Sequence, residues 1–522
     1  MKSKARPNAA QIRRLLAEYQ TRLQAARVYD VAEVSALEPA PKLSQRLGHH
    51  VLIKREDQQP VHSFKLRGAY NKMVQLTPAQ RAAGVVTASA GNHAQGVALA
   101  GATLGVRTVI VMPRTTPAIK VDAVRVLGGE VVLHGDSYDE ASEHAAGLAR
   151  SRKLTPVPPY DDPDVIAGQA TVGLELLQQA PDALDAVFIP VGGGGLLAGI
   201  ALAIKAARPA VKIIGVEPED AACMTAALSA GRRVILSEAG LFADGVAVRQ
   251  AGAEPFRVAR LLVDEMVTVS VDEICAAIRD IFYDNRSLPE PAGAVALAGL
   301  KRWAQGRRGS GKTLVAIESG ANVNFDRLRH VAERAELGDA HETLLGVTIP
   351  EQPGSFKRFL GALGKKAITE FNYRYSEPGE AHLFVGIKLG FDRAERGEIL
   401  RQLREDGYPV QDLSGNEMAK DHVRYMVGGR SPGLEDEVLY RFEFPERPGA
   451  CLKFLNAIHG RWNISLFHYR NHGAAFGRVL CGLQVPKAER AQLRRTLKEL
   501  GYSCSNETDN PAYRLFLGTA RS

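Results

Sequence analysis

Short apolar runs alternate with helix-like patterns between about residues 50 and 320. The runs cover residues 85–88, 106–112, 130–133, 187–191 and 211–216. This spacing is typical of parallel strands that are connected by covering helices. Several of the runs lead directly into a Gly-rich turn and a helix, which brings backbone donors to the carboxyl edge of the sheet. We therefore predict an α/β domain over residues 1–335 whose ligands bind at that edge.

The chain begins with a basic segment, in which the first 17 residues hold five basic side chains and no acidic one. Neither an apolar core nor a small-residue cleavage site follows, as a targeting peptide would require. One helical face is traced by Ile12, Leu15, Leu16, Tyr19 and Leu23. This periodicity predicts a helix docked on the domain.

A sequence repeat replaces the α/β pattern after about residue 340. The segment Ile349-Pro350-Glu351-Gln352-Pro353-Gly354 returns as Phe444-Pro445-Glu446-Arg447-Pro448-Gly449, an offset of 95 residues. Each copy reads as strand, turn, amphipathic helix, two strands, helix and short strand, which is a ferredoxin-like βαββαβ pattern. We expect two α+β domains, at 342–413 and 437–509, with a Gly-rich linker at 422–436.

Bulk composition excludes several classes of function. The formal charge of +8 is not concentrated in a Lys/Arg block with aromatics, so nucleic-acid binding is not expected. No apolar run is long enough for a membrane span. The five cysteines are widely spaced and form no CxxC pair, which argues against structural zinc and favours a reducing compartment. We expect a cytoplasmic protein.

A lysine stands where a helix should start, in Ser63-Phe64-Lys65-Leu66-Arg67-Gly68 after a strand near residues 52–54. The helix dipole disfavours a cation at this position, so a neutral amine or an imine is electrostatically easier there. Taken alone, the motif favours an ordinary surface lysine at position 65. Its significance depends on the other motifs.

Four successive glycines follow the buried strand at 187–191 and open a helix that reaches Ala207. Gly192, Gly193, Gly194, Gly195 and Leu196 can turn their backbone amides toward one point and hold a phosphate without a cationic side chain. A dinucleotide site is the alternative, because the spacing to Ala198 fits GxGxxA and Glu217 ends the next strand. This motif alone leaves both open.

Two further turns join strands to helices. Ser89, Ala90, Gly91 and Asn92 form the first, and their small side chains and free amides suit a carboxylate. His93 is expected to be a solvated residue of the first helical turn. The second turn, after the strand 314–317, contains Ser319 in Glu318-Ser319-Gly320-Ala321-Asn322. Asn92 and Ser319 are each also compatible with simple helix caps.

Together these segments resemble the fold-type II pyridoxal-phosphate enzymes, and among them the serine/threonine dehydratases. The resemblance rests on SFKLRGAYNKM, SAGNHAQGVA, GGGGLLAG, EPAGA and ESGAN, in this order, across about residues 30–330. It favours a single cofactor, pyridoxal 5'-phosphate, over a dinucleotide, which would leave the lysine, asparagine and serine turns without a role. The tandem repeats resemble the paired ACT-like regulatory domains of biosynthetic threonine dehydratases.

The resemblance implies a role for each motif. Lys65 would carry the cofactor as an imine and act as the general base, the amides of residues 192–196 would bind its phosphate, and Asn92 would contact the ring hydroxyl. Ser319 would face the pyridine nitrogen, and a neutral serine there makes the ring a weaker electron sink. The 89–92 turn would hold the substrate carboxylate. The implied reaction converts L-threonine to 2-oxobutanoate and ammonia, at the first committed step of isoleucine biosynthesis.

Two positions depart from the related racemases. Ala90 replaces a serine that serves the opposite face of the substrate, so poor racemisation is expected. At the racemase-like metal site, Glu217 and Ala221 are joined by Cys223 where an aspartate is expected, so no required divalent metal is predicted. Glu290, in the EPAGA segment, is also an ordinary residue before a helix, and we leave it outside the catalytic set.

The same resemblance implies regulation. Isoleucine is expected to inhibit and valine to activate, acting on a homotetramer through the C-terminal domains. Two alternatives remain open: another fold-type II activity, such as serine dehydration, racemisation or β-replacement, and a catalytically silent amino-acid sensor that uses only the repeats.

Overall fold

The computed structural model describes most of the chain in two compact units, formed by residues 1–338 and 339–522. Its described residues are 9–116, 118–305, 311–325, 327–338, 341–364, 366–376, 379–390, 394–431, 433–445, 449–458, 461–470 and 476–517. The basic residues 1–8 and the second Glu446-Arg447-Pro448 turn, which the sequence analysis singled out, lie outside them. So does Pro432, in the segment expected to link the two repeats.

The first unit contains fourteen α-helices and ten strands within the described residues. The helices are α1 (Ala9–Gln24), α2 (Pro41–Leu47), α3 (Lys65–Val74), α4 (Pro78–Ala83), α5 (Asn92–Leu104), α6 (Ala118–Val126), α7 (Tyr138–Arg152), α8 (Pro163–Gln179), α9 (Gly195–Ala207), α10 (Cys223–Ala230), α11 (Ala253–Leu262), α12 (Val271–Asn285), α13 (Pro291–Gln305) and α14 (Arg327–Gly338). The strands are β1 (Leu37–Pro39), β2 (His50–Arg55), β3 (Val85–Ala88), β4 (Thr108–Met112), β5 (Glu130–Leu133), β6 (Thr155–Pro156), β7 (Leu184–Pro190), β8 (Lys212–Pro218), β9 (Glu265–Val269) and β10 (Thr313–Glu318).

A six-stranded sheet forms the centre of this unit, in the order β1-β2-β10-β7-β8-β9. All neighbours in it are parallel except β1 and β2. Strands β7 and β10 are almost entirely buried, which explains their continuous apolar sequences. One face packs under α12 and α13 and the other under α8 and α9. The loops after β2, β10, β7 and β8 therefore meet at one edge of the sheet.

A second, four-stranded sheet lies in the same unit, in the order β5-β4-β3-β6, and all of its strands are parallel. We call this sheet together with α5, α6 and α7 the small lobe. Helix α7 starts in a capping box in which Ser137 and Glu140 exchange hydrogen bonds with each other's backbone. The N-terminal helix α1 docks as predicted, with Leu15 and Tyr19 in the core of the six-stranded sheet.

The second unit contains both repeats. Its strands are β11 (Glu342–Pro350), β12 (Ile368–Arg374), β13 (Glu380–Lys388), β14 (Val410–Asp412), β15 (Glu437–Pro445), β16 (Asn463–Arg470), β17 (Phe476–Gln484) and β18 (Ser503–Asn506). Its helices are α15 (Ser355–Leu363), α16 (Ala394–Glu405), α17 (Glu417–Asp421), α18 (Ala450–Ile458) and α19 (Arg490–Leu500). Apart from α17, they follow the βαββαβ order twice, as the sequence predicts.

The two copies form a single sheet and a single core. Strands β12 and β16 pair in antiparallel fashion and join the copies into eight strands, ordered β14-β11-β13-β12-β16-β17-β15-β18. Phe356 and Phe371 of the first copy contact Phe467 of the second. Each copy alone would leave β12 or β16 as an open sheet edge, and the pairing satisfies the backbone hydrogen bonds of both strands.

The segment between the copies is more ordered than the predicted linker. A short 3-10 turn spans Val423–Tyr425, and the buried Arg424 donates to the carboxylate of Glu370 at 2.6 Å. Asn372 donates to the carbonyl of Arg424 at 2.8 Å. Gly and Pro residues indicated a linker, and the buried ion pair attaches this segment to the first copy.

Candidate active site

The four glycines form the turn between β7 and α9. Gly194 takes a positive φ of 95° as the residue that precedes the helix, a conformation that favours glycine. Within the described residues, no intramolecular hydrogen bond uses the N–H groups of Gly192, Gly193 or Gly194 as donors, and the first N–H groups of α9 have no partner inside the helix. The turn therefore presents a row of unused donors at the sheet edge.

Close packing explains why glycine is needed beside Gly194 too. A Cβ atom on Gly193 would lie 2.3 Å from carbons of the Tyr160 ring, and one on Gly195 would lie 3.0 Å from the Tyr160 backbone. The turn is thus laid directly against the segment before α8. This contact fixes where its amides point.

Lys65 is the first residue of α3, as predicted, and it is partly buried. Its Nζ donates to the carbonyl of Pro159 at 3.1 Å and lies 5.3 Å from the centre of the Phe64 ring. Because Pro159 precedes Tyr160, this bond brings the lysine next to the glycine turn. Burial lowers the pKa of Lys65 to about 8, although the charge of Glu290 acts in the opposite direction. About a tenth of the amine is then neutral at pH 7, far more than for an ordinary lysine.

Asn92 reaches the same place from α5. It is the first residue of the helix, and Gly91 is the residue that precedes it, so Asn92 is not a helix cap. Its Nδ2 donates to Glu290 Oε1 at 2.5 Å, and its Oδ1 accepts from Asn322 Nδ2 at 2.8 Å. The orientation of the amide is fixed by these two bonds. At Gly96 of the same helix a Cβ would lie 3.0 Å from the Leu66 backbone, which brings α5 up to the start of α3.

Glu290 is a site residue that the sequence analysis left out. It is buried, with 3% of its surface exposed. Burial and the negative charge of Asp244 raise its pKa to about 7, while the Asn92 hydrogen bond acts in the opposite direction. The EPAGA segment was the available signal, but a glutamate before a proline is a common helix start. Its partner lies 198 residues away, and local pattern gave no indication of that contact.

Ser319 lies directly after β10 and is buried. Its carbonyl accepts from the N–H of Phe64 at 3.2 Å, and Ser63 and Gly320 form a bridge between the two loops. The side chain makes one long bond, from Oγ to the carbonyl of Ala292 at 3.4 Å. Ser319 is therefore held beside the residue that precedes Lys65, with a weakly engaged hydroxyl.

Two backbone N–H groups of the turn at residues 89–92 already make hydrogen bonds within the protein. The N–H of Ser89 donates to the carbonyl of Val111 at 3.1 Å, and the N–H of Gly91 points to Ser89 Oγ at 3.3 Å. A Cβ on Gly91 would meet nothing within 4 Å, so the space in front of this turn is open. The groups that remain for the substrate carboxylate are the Ser89 hydroxyl, the Gly91 amide, whose bond to Ser89 is long, and the amides that open α5.

His93 is not the solvated residue that we expected. It is 3% exposed, and its Nε2 lies 2.9 Å from the carbonyl of Val157. Burial, and then the charge of Lys65, lower its pKa to about 3. The ring is thus a neutral, packed part of the wall behind Lys65. Position in the first helical turn did not reveal this, because Val157, whose carbonyl contacts the ring, comes from a later part of the chain.

Glu217 and Cys223, at the position of the racemase-like metal site, serve the fold. Glu217 is fully buried and accepts from the N–H groups of Met224 at 2.7 Å and Thr225 at 2.8 Å. The carboxylate thereby satisfies the free end of α10. Cys223 Sγ lies 3.5 Å from the carbonyl of Gly192.

A network of buried ion pairs stabilises the start of α3. Arg67 is fully buried and donates to both Glu56 and Glu175, at 2.8 and 2.6 Å. Lys54 also donates to Glu175, at 2.5 Å. Because Arg67 is two residues beyond Lys65, this network fixes the helix start that carries the lysine.

These residues fit pyridoxal phosphate. A row of unused amides suits the phosphate, a partly neutral lysine suits the aldehyde, and a fixed asparagine suits the ring hydroxyl. No charged side chain is needed at the phosphate end, and the buried Ser319 provides a neutral partner at the other.

Comparison with known families agrees with this fit. The family described as "Pyridoxal-phosphate dependent enzyme" matches residues 29–320. The family described as "C-terminal regulatory domain of Threonine dehydratase" matches twice, at residues 333–423 and 428–517. The fold class predicted from the sequence is therefore confirmed.

Individual relatives cover nearly the whole chain. The biosynthetic L-threonine dehydratase IlvA of Escherichia coli (strain K12) is 55% identical over 96% of this chain and 97% of its own. The chloroplastic biosynthetic threonine dehydratase of Arabidopsis thaliana is 49% identical over 96% of this chain and 84% of its own. The solved structure of the processed threonine deaminase isoform 2 from Solanum lycopersicum is 52% identical, with a TM-score of 0.61, over 62% of this chain and 94% of that one. The chain therefore belongs to the biosynthetic threonine dehydratases, pyridoxal-phosphate-dependent enzymes with C-terminal regulatory domains.

Proposed function

We propose that this protein dehydrates and deaminates L-threonine to 2-oxobutanoate and ammonia with pyridoxal phosphate. The observation that carries the proposal is the convergence of Lys65, which bonds to the Pro159 carbonyl, and the unused amides of residues 192–196, which pack against Tyr160, on one sheet edge. Catalysis is assigned to residues 1–335, and regulation to the domains 342–413 and 437–509, which the segment 422–436 connects.

Lys65 has two tasks in this proposal. When bound, the cofactor withdraws electrons from the substrate Cα and makes its proton removable. The Nζ of Lys65 is the group that holds the cofactor and, once released by the substrate amine, accepts the α-proton. The lowered pKa suits a base, because more of the amine is neutral near neutral pH than in an ordinary lysine. The bond to the Pro159 carbonyl keeps the nitrogen at the glycine turn.

The other residues position the reactants. The amides of residues 192–196 hold the phosphate, and Asn92 donates to the ring hydroxyl through the Nδ2 proton that Glu290 leaves unused. The Ser89 hydroxyl and the amides of Gly91 and Asn92, next to Ala90, orient the carboxylate of threonine. Ser319 faces the ring nitrogen without a charge, and this favours loss of the β-hydroxyl over reactions that need a long-lived carbanion.

Product analysis tests the activity. Purified holoenzyme should absorb in the visible region and form 2-oxobutanoate from threonine, and Lys65→Ala should lose both. Arg125→Glu, an exposed change on α6, is the matched control and should retain both. No 2-oxobutanoate from threonine would refute the proposal. Racemised threonine or serine recovered instead would indicate a racemase, and absence of the visible band would indicate a sensor without catalysis.

We further propose that isoleucine inhibits and valine activates through a cleft between the two repeats. A narrow cleft with a cavity volume of about 10 Å³ lies between the first-copy turn at Gln352, Pro353 and Gly354 and the second-copy residues Leu455 and Trp462, and the effector would have to widen it. The N–H of Ser355 donates to the carbonyl of Gln352 at 3.2 Å, and the next N–H groups of α15 have no partner in the helix, which suits the effector's carboxylate. The apolar wall suits a branched side chain.

A charge reversal at the cleft tests this site. Lys357 lines the space in the first turn of α15. Lys357→Glu should raise the isoleucine concentration for half inhibition about fivefold or more, because it repels the carboxylate. Arg401→Glu, an exposed reversal on α16, should leave both inhibition and basal activity unchanged. Equal inhibition of both variants would remove the cleft from the proposal, and no response of the wild type to isoleucine would remove the regulation.

A homotetramer and a cytoplasmic location complete the proposal. The described cysteines are all free thiols, which suits a reducing compartment. No described helix combines the length and apolarity needed to cross a membrane. Light scattering of the purified protein tests the oligomeric state, and a mass other than four chains would contradict it.

A further inference from the structure

A short segment at residues 244–249, between α10 and α11, crosses the candidate active site. We call it the strap. At Gly245 a Cβ atom would lie 2.8 Å from Ala292, 3.5 Å from Glu290 Oε1 and 3.9 Å from Asn92 Nδ2. Further along, the backbone of Val246 lies 3.0 Å from where Gly192 would carry a Cβ. The strap therefore touches both the asparagine end and the glycine turn.

The strap is tied to the small lobe at both of its ends. Asp244 accepts from Lys120 of α6 at 2.8 Å, and Arg249 donates to Asp139 of α7 at 3.1 Å. The second pair is largely exposed, whereas Lys120 and Asp244 are 20% and 32% exposed. Partial burial makes the Lys120 pair the stronger of the two, because water and salt screen it less.

The contacts across the site depend on the position of the small lobe relative to the six-stranded sheet. Asn92 and the 89–92 turn belong to the small lobe, whereas Glu290, which lies directly before α13, and the strap belong to the part of the unit that is built around the six-stranded sheet. The Asn92 to Glu290 bond and the Lys120 to Asp244 pair both bridge the two parts. Arg327 donates to the carbonyl of Phe242 at 2.9 Å, which holds the start of the strap to the six-stranded side. The Lys120 ion pair thus links the small lobe to a strap that is itself held on the six-stranded side.

We infer that Lys120 is a positioning residue for the proposed reaction: its ion pair with Asp244 holds the small lobe closed on the strap, so that the 89–92 turn meets the substrate carboxylate. The inference rests on the proposed function. Loss of the pair weakens substrate binding more than turnover, because saturating threonine restores the closed form through its own contacts with the turn.

Three substitutions at Lys120 grade the effect. Lys120→Glu places a like charge against Asp244 and should raise KM for threonine about tenfold or more, with kcat changed much less. Lys120→Met should lie between that variant and the wild type, and Lys120→Arg should be close to the wild type. Arg125→Glu, which breaks an exposed pair with Asp122 on the same helix, is the matched control and should leave KM unchanged.

Hydrogen exchange of the holoenzyme gives a readout that does not depend on turnover. Lys120→Glu should speed amide exchange in the strap and in α6, and Arg125→Glu should not. An unchanged KM and unchanged exchange in Lys120→Glu would overturn the inference, as would a fall in kcat alone. Should the wild type form no 2-oxobutanoate, the proposed function fails, whereas the exchange result still decides whether Lys120 closes the lobe.

Discussion

Gly193 offers the sharpest test of how the glycine turn is built. The φ of this residue is not in the left-handed region, so alanine is acceptable to its backbone. The obstacle is Tyr160, because three carbons of its ring lie 2.3 to 2.4 Å from where the new Cβ would be. Ordinary contact needs about 3.4 Å or more. Gly193→Ala must therefore displace the ring or the turn by about 1 Å.

The expected cost follows from this displacement. Overpacking a tightly packed site costs about 1 to 3 kcal/mol, which corresponds to a loss in cofactor affinity of roughly 5- to 150-fold when the turn is what moves. Absorbance titration of the cofactor-free protein with pyridoxal phosphate measures the change. Gly147→Ala, in α7 with no atom within 4 Å of the new Cβ, is the matched control and should bind normally.

A compensating change completes the cycle. Tyr160→Ala removes the ring, so the double variant with Gly193→Ala should recover most of the affinity that Gly193→Ala loses relative to wild type. Wild-type affinity in Gly193→Ala would refute the reasoning, since it would mean that the ring moves freely and does not fix the turn. Additive losses in the double variant would refute it as well.

Three other predictions follow from buried charges. The pKa of Lys65 is lowered from 10.5 to about 8, so the rate of cofactor attachment to the cofactor-free protein should rise with pH and level off above about pH 8. Stopped-flow absorbance measures this rate. A rate that continues to rise up to pH 10 would contradict the lowered pKa. The pKa of Glu290 is raised from 4.5 to about 7, so its protonated form contributes stability that is fully present below pH 4.5 and is lost as the pH rises through 7. Between pH 5 and pH 8 the free energy of unfolding of Glu290→Gln should therefore gain up to about 3 kcal/mol relative to wild type. A difference between the two proteins that is the same at both pH values would exclude this. Arg67→Ala leaves Glu56 without its ion-pair partner in the core and should lower the free energy of unfolding in urea by about 3 to 5 kcal/mol. The exposed Arg107→Ala should lower it by less than about 1 kcal/mol. Similar losses in the two variants would contradict a stabilising role of the buried ion pair.

Local elements were predictable from the sequence because their signals are local. The runs at 85–88 and 130–133 are the strands β3 and β5, and the helix expected to end at Ala207 does so. Lys65 starts α3, as its place after a strand indicated. The repeat predicted both βαββαβ copies, since each buries the same apolar face. What the repeat could not show was that β12 and β16 join them into one sheet.

The contacts that shape the site were not predictable, because they join distant parts of the chain. Glu290 meets Asn92 across 198 residues, and Tyr160 lies under the glycine turn only because the fold brings α8 beside α9. The prediction of a solvated His93 was wrong, because a polar residue in a first helical turn is solvated only where no other element of the fold covers it. The strap carries no motif at all. Its role follows from what its backbone touches.

The central claim is that Lys65 holds the cofactor at this site. Borohydride reduction of the holoenzyme fixes the bond between a lysine and pyridoxal phosphate, and peptide mass spectrometry then locates it. We predict the label on the peptide that contains Lys65 and no label in Lys65→Ala. A label on another lysine of the wild type, or none, would contradict the account.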